Sequence, residues 1–269
     1  VLDEKIQEEP GAFLSAVNSY ATRKKNIRIY LLIDEYDNFT NTILSTYGTE
    51  FYRKATHGEG FIRGFFNVIK SATTGTGAAL ERLFITGVSP VTMDDVTSGF
   101  NIGTNITNDS WFNDLVGFSE NELREMLEYY KEQGVLQESI DEIVAMMKPN
   151  YDNYCFSEDT LEQCMFNSDM ALYFLKSFVL HHKKPKEIVD PNIRTDFNKL
   201  AYLIKLDHGL GENFSVIKEI AEQGEIITDI VTHFSALEMT DPSNFKSLLF
   251  YFGLLSIKGV DMVGRPILH

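Results

Sequence analysis

Two regimes of apolar spacing alternate along the first third of the chain. Over residues 10–23, Phe13, Leu14, Val17 and Tyr20 recur at helical intervals, and Pro10 suits a first turn, so the pattern predicts a helix. Ile27 to Ile33 (IRIYLLI) is instead a continuous β-branched run ending in acids. Such a run is expected of a strand buried on both faces, as in a parallel sheet. Helical spacing returns over 59–72 with Phe61, Phe65, Val68 and Ile69, and Arg82 to Val88 (RLFITGV) gives a second buried strand. Strand, helix, strand at this separation predicts a right-handed parallel βαβ unit.

Beyond Ser89-Pro90 the pattern loosens, and Thr104 to Thr107 is the one short strand expected there. Ser119-x-x-Glu122 reads as a capping box, with Leu123, Met126, Leu127 and Tyr130 as the apolar stripe behind it. Further helices are expected over 138–147, 168–182 and 196–206, and a last one over Phe245 to Phe252, broken by Gly253. Leu254 to Lys258 and Pro266 to His269 then read as two strands of a hairpin. The expectation is an α/β protein: a parallel-sheet domain over 1–118, then a mainly helical region over 119–269 whose helix-then-hairpin end resembles a winged helix. No internal repeat or low-complexity tract is present.

Composition bounds the class. The chain has 269 residues, 43% of them hydrophobic, and a net charge of −15. A chain of that length buries roughly 70–75% of its unfolded surface and needs no disulfide or metal staple. The acidic balance argues against broad binding to nucleic acid or anionic membrane. The two cysteines, Cys155 and Cys164, fit no zinc spacing and suggest inert buried thiols in a reducing compartment. With no signal-peptide pattern at the N-terminus and no run of ~20 apolar residues, a cytoplasmic location is the expectation.

The sharpest chemical signal is Ile33-Asp34-Glu35-Tyr36-Asp37, two adjacent carboxylates at the carboxyl end of a buried strand. Open α/β sheets bind ligands at that end. Strand alternation sends the two side chains in different directions. Asp34 is therefore suited to hold magnesium through water, and Glu35 to orient or deprotonate an attacking water, the Walker B arrangement. An acidic turn after a strand is the competing explanation. Thr86, followed by Gly87, Val88 and Ser89, lies at the tip of the second strand, where a hydroxyl can sense a phosphate; an ordinary strand threonine is the alternative. Arg53 and Arg63 fit solvated helix positions better than arginine fingers. Asp94-Asp95 reads as an exposed or helix-start acidic turn, a better fit than a metal pair, and His181-His182 as a helix C-terminus. Tyr151 and Tyr154 suit packing between helices better than base stacking.

In order and spacing, IDEYD, then Ile62 to Ala72 (IRGFFNVIKSA), then Leu83 to Asn101 (LFITGVSPVTMDDVTSGFN) resemble the AAA-ATPase-like family. The resemblance continues through Trp111 to Leu123, Tyr151 to Asp159 and Ser247 to Ile257. It implies a P-loop ATPase module, here a partial P-loop sheet, joined to a nuclease-like domain of the PD-(D/E)xK type. It implies ATP and magnesium as ligands, with Asp34, Glu35 and Thr86 as catalytic residues and Asp37, Ser89 and Arg63 as nucleotide contacts.

One departure matters. The phosphate cradle Gly-x-x-x-x-Gly-Lys-Ser/Thr is not in the chain, and Thr74-Gly75-Thr76-Gly77 lacks the lysine and follows the acidic strand instead of preceding it. The chain thus reads as the middle of a longer protein, with the P-loop expected upstream and the nuclease-like domain downstream. Nucleotide binding by this polypeptide alone is expected to be weak or nil. Two other readings stand beside an ATPase fragment: a non-enzymatic interaction or nucleic-acid-binding module, and a degenerate ATPase kept as a scaffold. An uncovered strand edge makes self-association a further expectation.

Overall fold

The computed structural model describes residues 10–24, 27–75, 77–88, 90–96, 102–190, 212–239 and 241–269. Two units emerge: Val1–Thr104 with Val231–Asn244, and Asn105–Ile230 with Phe245–His269. The helix expected over 196–206 lies outside the described residues.

The first unit follows the predicted strand-helix-strand order. Helix α1 is Pro10–Arg23, strand β1 is Ile29–Ile33, helix α2 is Asn38–Thr56, helix α3 is Phe61–Thr73, strand β2 is Leu80–Ile85 and helix α4 is Val91–Val96. The strands pair in parallel, Leu31 with Leu83, Leu32 with Phe84 and Ile33 with Ile85. One face carries Ile29, Leu31, Ile33, Leu83 and Ile85 against Ile62, Phe66 and Ile69 of α3 and Leu14 of α1. Those helix residues recur at three- and four-residue steps, which puts them on one stripe.

The other sheet face corrects the expectation of strands buried on both sides. Tyr30, Leu32 and Phe84 are 66%, 76% and 44% exposed. The apolar runs are as continuous as in a sandwiched sheet, yet the described helices cover one side only. Helix α2 was not legible in the sequence. Its segment NFTNTILSTYGTEFYRKAT has no steady apolar period, and Gly48, at φ 79°, breaks it into two helical pieces.

Asp95 overturns another expectation. It is buried, not exposed. Its carboxylate accepts hydrogen bonds from Tyr52 Oη (2.6 Å), Ser235 Oγ (2.6 Å) and the Ala236 N–H (2.9 Å). His57 Nε2 lies 3.8 Å away. This one carboxylate joins α2, α4 and the 231–244 segment, and the three donors make its burial tolerable.

The second unit is mainly helical. Helix α5 (Glu120–Glu132) starts at Ser119 in the expected capping box: Ser119 accepts from the Glu122 N–H, and Glu122 accepts from the Ser119 N–H. Helices α6 (Ile140–Tyr151) and α7 (Ser168–His181) close a core of Leu123, Leu127, Ile143, Met147, Phe174 and Phe178 with α5. Lys148 and Arg124 both pair with Glu120, and their hydrogen bonds hold its carboxyl below the ordinary glutamate range. Helix α7 ends as expected, with His182 left-handed and Pro185 beyond it. Thr104 to Thr107 forms no strand; the short strands here are β3 (Asp152–Tyr154) and β4 (Met165–Phe166), antiparallel.

Helix α8 (Glu212–Gln223), strand β5 (Ile226–Ile227), helix α9 (Pro242–Tyr251) and strands β6 (Ile257–Val260) and β7 (Pro266–Leu268) follow. The expected C-terminal hairpin forms, and β5 adds to it, giving the order β5-β7-β6. Phe245, Leu249, Leu255, Ile257 and Leu268 fill the core beneath. Among the described residues no helix is long and apolar enough to cross a membrane.

Two stability predictions follow from this packing. Asp95→Ala leaves the Tyr52 hydroxyl and the Ala236 N–H without their acceptor and is expected to cost about 3 kcal/mol in a denaturant titration. Ser119→Ala removes the cap of α5 and is expected to cost about 1 kcal/mol in the same measurement.

Candidate functional site

Parallel pairing in this register ends β1 and β2 side by side, so the residues that follow each strand meet. The Thr86 N–H donates to Ile33 O (2.8 Å) and the Tyr36 N–H to Thr86 O (3.1 Å), which carries the ladder one step past both strands. Asp34 and Thr86 are thereby neighbours. Thr86 Oγ1 donates to Asp34 Oδ1 at 2.5 Å, and the Glu35 N–H donates to the same oxygen at 2.9 Å. Asp34 Oδ2 receives no hydrogen bond from the described residues. Asp34, Glu35 and Thr86 are all exposed.

Glu35 stands in a left-handed backbone conformation, φ 51°, in the position where a turn must leave the strand and enter α2. A non-glycine residue there carries a conformational cost. Its side chain is held by Asn38, whose Nδ2 donates to Oε2 at 2.9 Å. Asn38 was not among the residues singled out from the sequence. The signal was present, three residues beyond Glu35 at the first turn of α2, but that helix itself was not legible.

Asp37 is buried at 1% exposure and ties the two strand ends together from behind. Its Oδ1 accepts from the Val88 N–H (3.1 Å) and its Oδ2 from Asn41 Nδ2 (2.8 Å). Gly87 makes this approach feasible: a Cβ there would overlap the Tyr36 ring and Asp37 Oδ1. Of the remaining expected residues, Ser89 lies outside the described residues. Arg63 sits half-buried on α3 and forms no hydrogen bond or ion pair with Asp34, Glu35 or Thr86. Arg53 is exposed on α2, as a solvated position requires. Thr74, Gly75 and Gly77 stand in no helix or strand. Asn18 and Thr22 of α1 donate to Gly77 O, and Asn18 Oδ1 accepts from the Ala79 N–H.

Among the described residues, no three His, Cys, Asp or Glu side chains come together as a metal cage. One exposed aspartate oxygen beside a hydroxyl suits magnesium, which keeps most of its waters and takes one or two protein carboxylates with substrate phosphates completing the shell.

Residues 2–97 match the model of the AAA-ATPase-like family, described as predicted AAA-ATPase. The matched stretch contains β1, β2 and every strand-tip residue above. No curated protein and no solved structure gives a significant match.

The geometry makes two predictions here. Gly87→Ala must displace the Tyr36 ring or the buried Asp37 carboxylate and is expected to cost about 2 kcal/mol, read by thermal unfolding. Glu35→Gly relieves the left-handed backbone and is expected to leave the fold as stable or up to about 1 kcal/mol more stable, checked in the same way.

Proposed function

We propose that residues 2–97 supply the metal- and water-directing half of an ATP site. The 2.5 Å hydrogen bond between Thr86 and Asp34 at adjacent parallel strand ends carries this reading, together with the family match over the same residues. Asp34 holds magnesium through water on its open oxygen. Glu35, steadied by Asn38, directs the attacking water. Thr86 reports on the terminal phosphate. Ser89 and Arg63 are the remaining nucleotide contacts of this reading, whereas Asp37, expected from the resemblance as a third, is buried and holds the two strand ends together instead. The phosphate cradle is supplied by a P-loop that these 269 residues do not contain, so this polypeptide alone binds nucleotide weakly. In the full protein, hydrolysis regulates a nuclease-like domain.

The C-terminal elements are proposed to be winged-helix-like. The strand order β5-β7-β6 and the sequence α8, β5, α9, β6, β7 support this. Two basic side chains of the hairpin are already paired, Lys258 with Glu225 at 2.7 Å and Arg265 with Asp261 at 2.8 Å. Together with the −15 charge, this favours contact with protein over a nucleic-acid backbone.

The test uses the full-length protein. Glu35→Gln and Asp34→Asn are each expected to lower magnesium-dependent ATP hydrolysis by about a hundredfold or more while the protein stays folded. Hydrolysis unchanged in both variants would overturn the site. Nuclease activity identical with and without ATP, in the wild type and in Glu35→Gln, would overturn the coupling alone.

A further inference from the structure

Ahead of helix α5, residues 109–118 (DSWFNDLVGF) invert the usual rule of burial. Trp111 is 88% exposed, and Phe112, Leu115 and Val116 are exposed with it. The buried residue between them in sequence is polar: Asn113, at 3% exposure. Its Nδ2 donates to Gln163 O (2.9 Å), and its Oδ1 accepts from Thr160 Oγ1 (2.8 Å). Two further ties fix the ends of the segment. Asp109 Oδ1 accepts from the Trp111 N–H (3.0 Å), and Phe118 and Phe166 exchange backbone hydrogen bonds at 2.9 and 2.7 Å. A single apolar residue at a surface is ordinary, but four large ones held outward by a polar anchor mark an interaction surface. The surroundings are acidic. Asp109 and Asp114 are exposed in the segment, and Glu158, Asp159 and Glu162 are exposed on the turn that Asn113 grips. Residues 105–118 and 155–167 contain no Lys, Arg or His.

We propose that this segment docks a partner protein whose contacting surface is apolar and flanked by lysine or arginine. Exposed tryptophan is the side chain that most often anchors such contacts, and here it stands among aliphatic neighbours that can exclude water around it. The acids decide between the possible occupants. A second copy would set the same carboxylates against each other across a two-fold interface. A bilayer would suit the tryptophan, but anionic headgroups repel the acids. A surface with apolar residues among basic ones satisfies both halves, and its cations can also lie over the open Trp111 ring. Because Asn113, Asp109 and the Phe118–Phe166 pairing already order the segment, docking costs little further backbone freedom. The site lies outside the strand-tip residues and does not rest on the nucleotide reading.

Trp111 is the chain's only tryptophan, so its fluorescence reports on this segment alone. The probe is an amphipathic helical peptide of leucine and lysine, added to the 269-residue protein. Alone, the protein is expected to emit as solvent-exposed indole and to be quenched freely by acrylamide. The peptide is expected to shift the emission to the blue and to protect it from acrylamide, more strongly at low than at high ionic strength. Peptides with glutamate in place of lysine, or serine in place of leucine, are expected to leave the emission unchanged. Asp114→Asn combined with Glu158→Gln is expected to weaken binding about fivefold. Glu128→Gln combined with Glu132→Gln, the same charge change roughly two to four turns along α5, is expected to leave it unaltered. Trp111→Ala, followed with a labelled peptide, is expected to lose about tenfold or more in affinity, with an unchanged far-ultraviolet circular dichroism spectrum. Emission already blue in the protein alone would mean that the chain itself or a second copy covers the patch. A blue shift with phosphatidylserine vesicles and none with the peptide would assign it to a membrane. No response to the leucine–lysine peptide, or an equal response to the glutamate peptide, would leave the acids without a role. Each of these results would overturn the proposal.

Discussion

Parallel pairing of β1 with β2, in one register from Tyr30 to Ile33, is the constraint on which the α/β unit depends. It decides which apolar side chains face α1 and α3 and which do not. It also brings two strand ends level, so that residues 52 positions apart share a hydrogen bond between Thr86 and Asp34. A slip of β1 by one residue would turn Ile33 outward while Ile85 stayed in the core, and would separate Asp34 from Thr86. The site's geometry is therefore a by-product of the core's packing. The loops need supply only three local features: the left-handed Glu35, the buried Asp37 and the space left by Gly87.

Much of that unit was readable. The strands announce themselves because their apolar runs are uninterrupted, and the position of the acids after one and of Thr86 after the other follows from the strand ends. The partners of these groups were less readable. Asn38 and Asn41 act from α2, a helix whose first turns are rich in Asn and Thr and whose burial is set by contacts distant in sequence. Asp95 reads as a surface acid next to Asp94. Only the fold reveals that the Tyr52 hydroxyl on one side and the Ser235 hydroxyl and Ala236 N–H on the other, each more than 40 residues away, converge on it. Hydrophobic spacing reports which face of an element is apolar, but not which polar group is enclosed with it.

The second unit was legible for a different reason. Ser119 and Glu122 form a local pair, so the capping box needs no tertiary information. The helix ends at His182 and Gly253 are equally local. The third strand of the small sheet was not visible. Ile226–Ile227 is too short to show alternation, and its place beside β7 is fixed by the core residues beneath it. The cysteines fall between these cases. Their spacing excludes a zinc site, but the burial of Cys155 depends on how the chain folds around the Glu158–Thr160 turn.

The uncovered side of the two-stranded sheet has a consequence for handling the molecule. Among the described residues both strand edges are open, and Tyr30, Leu32 and Phe84 line up on one surface. Flat apolar strands with free edges are templates for cross-β stacking. Arg28, Glu81 and Arg82 stand at one end of these strands, Arg28 and Glu81 within 3.8 Å of each other. They act as gatekeepers, since stacking identical chains in register would bring like charges together. Their influence is strongest at low ionic strength and fades as salt screens them, so the shelf life of concentrated protein depends on the buffer as much as on the fold.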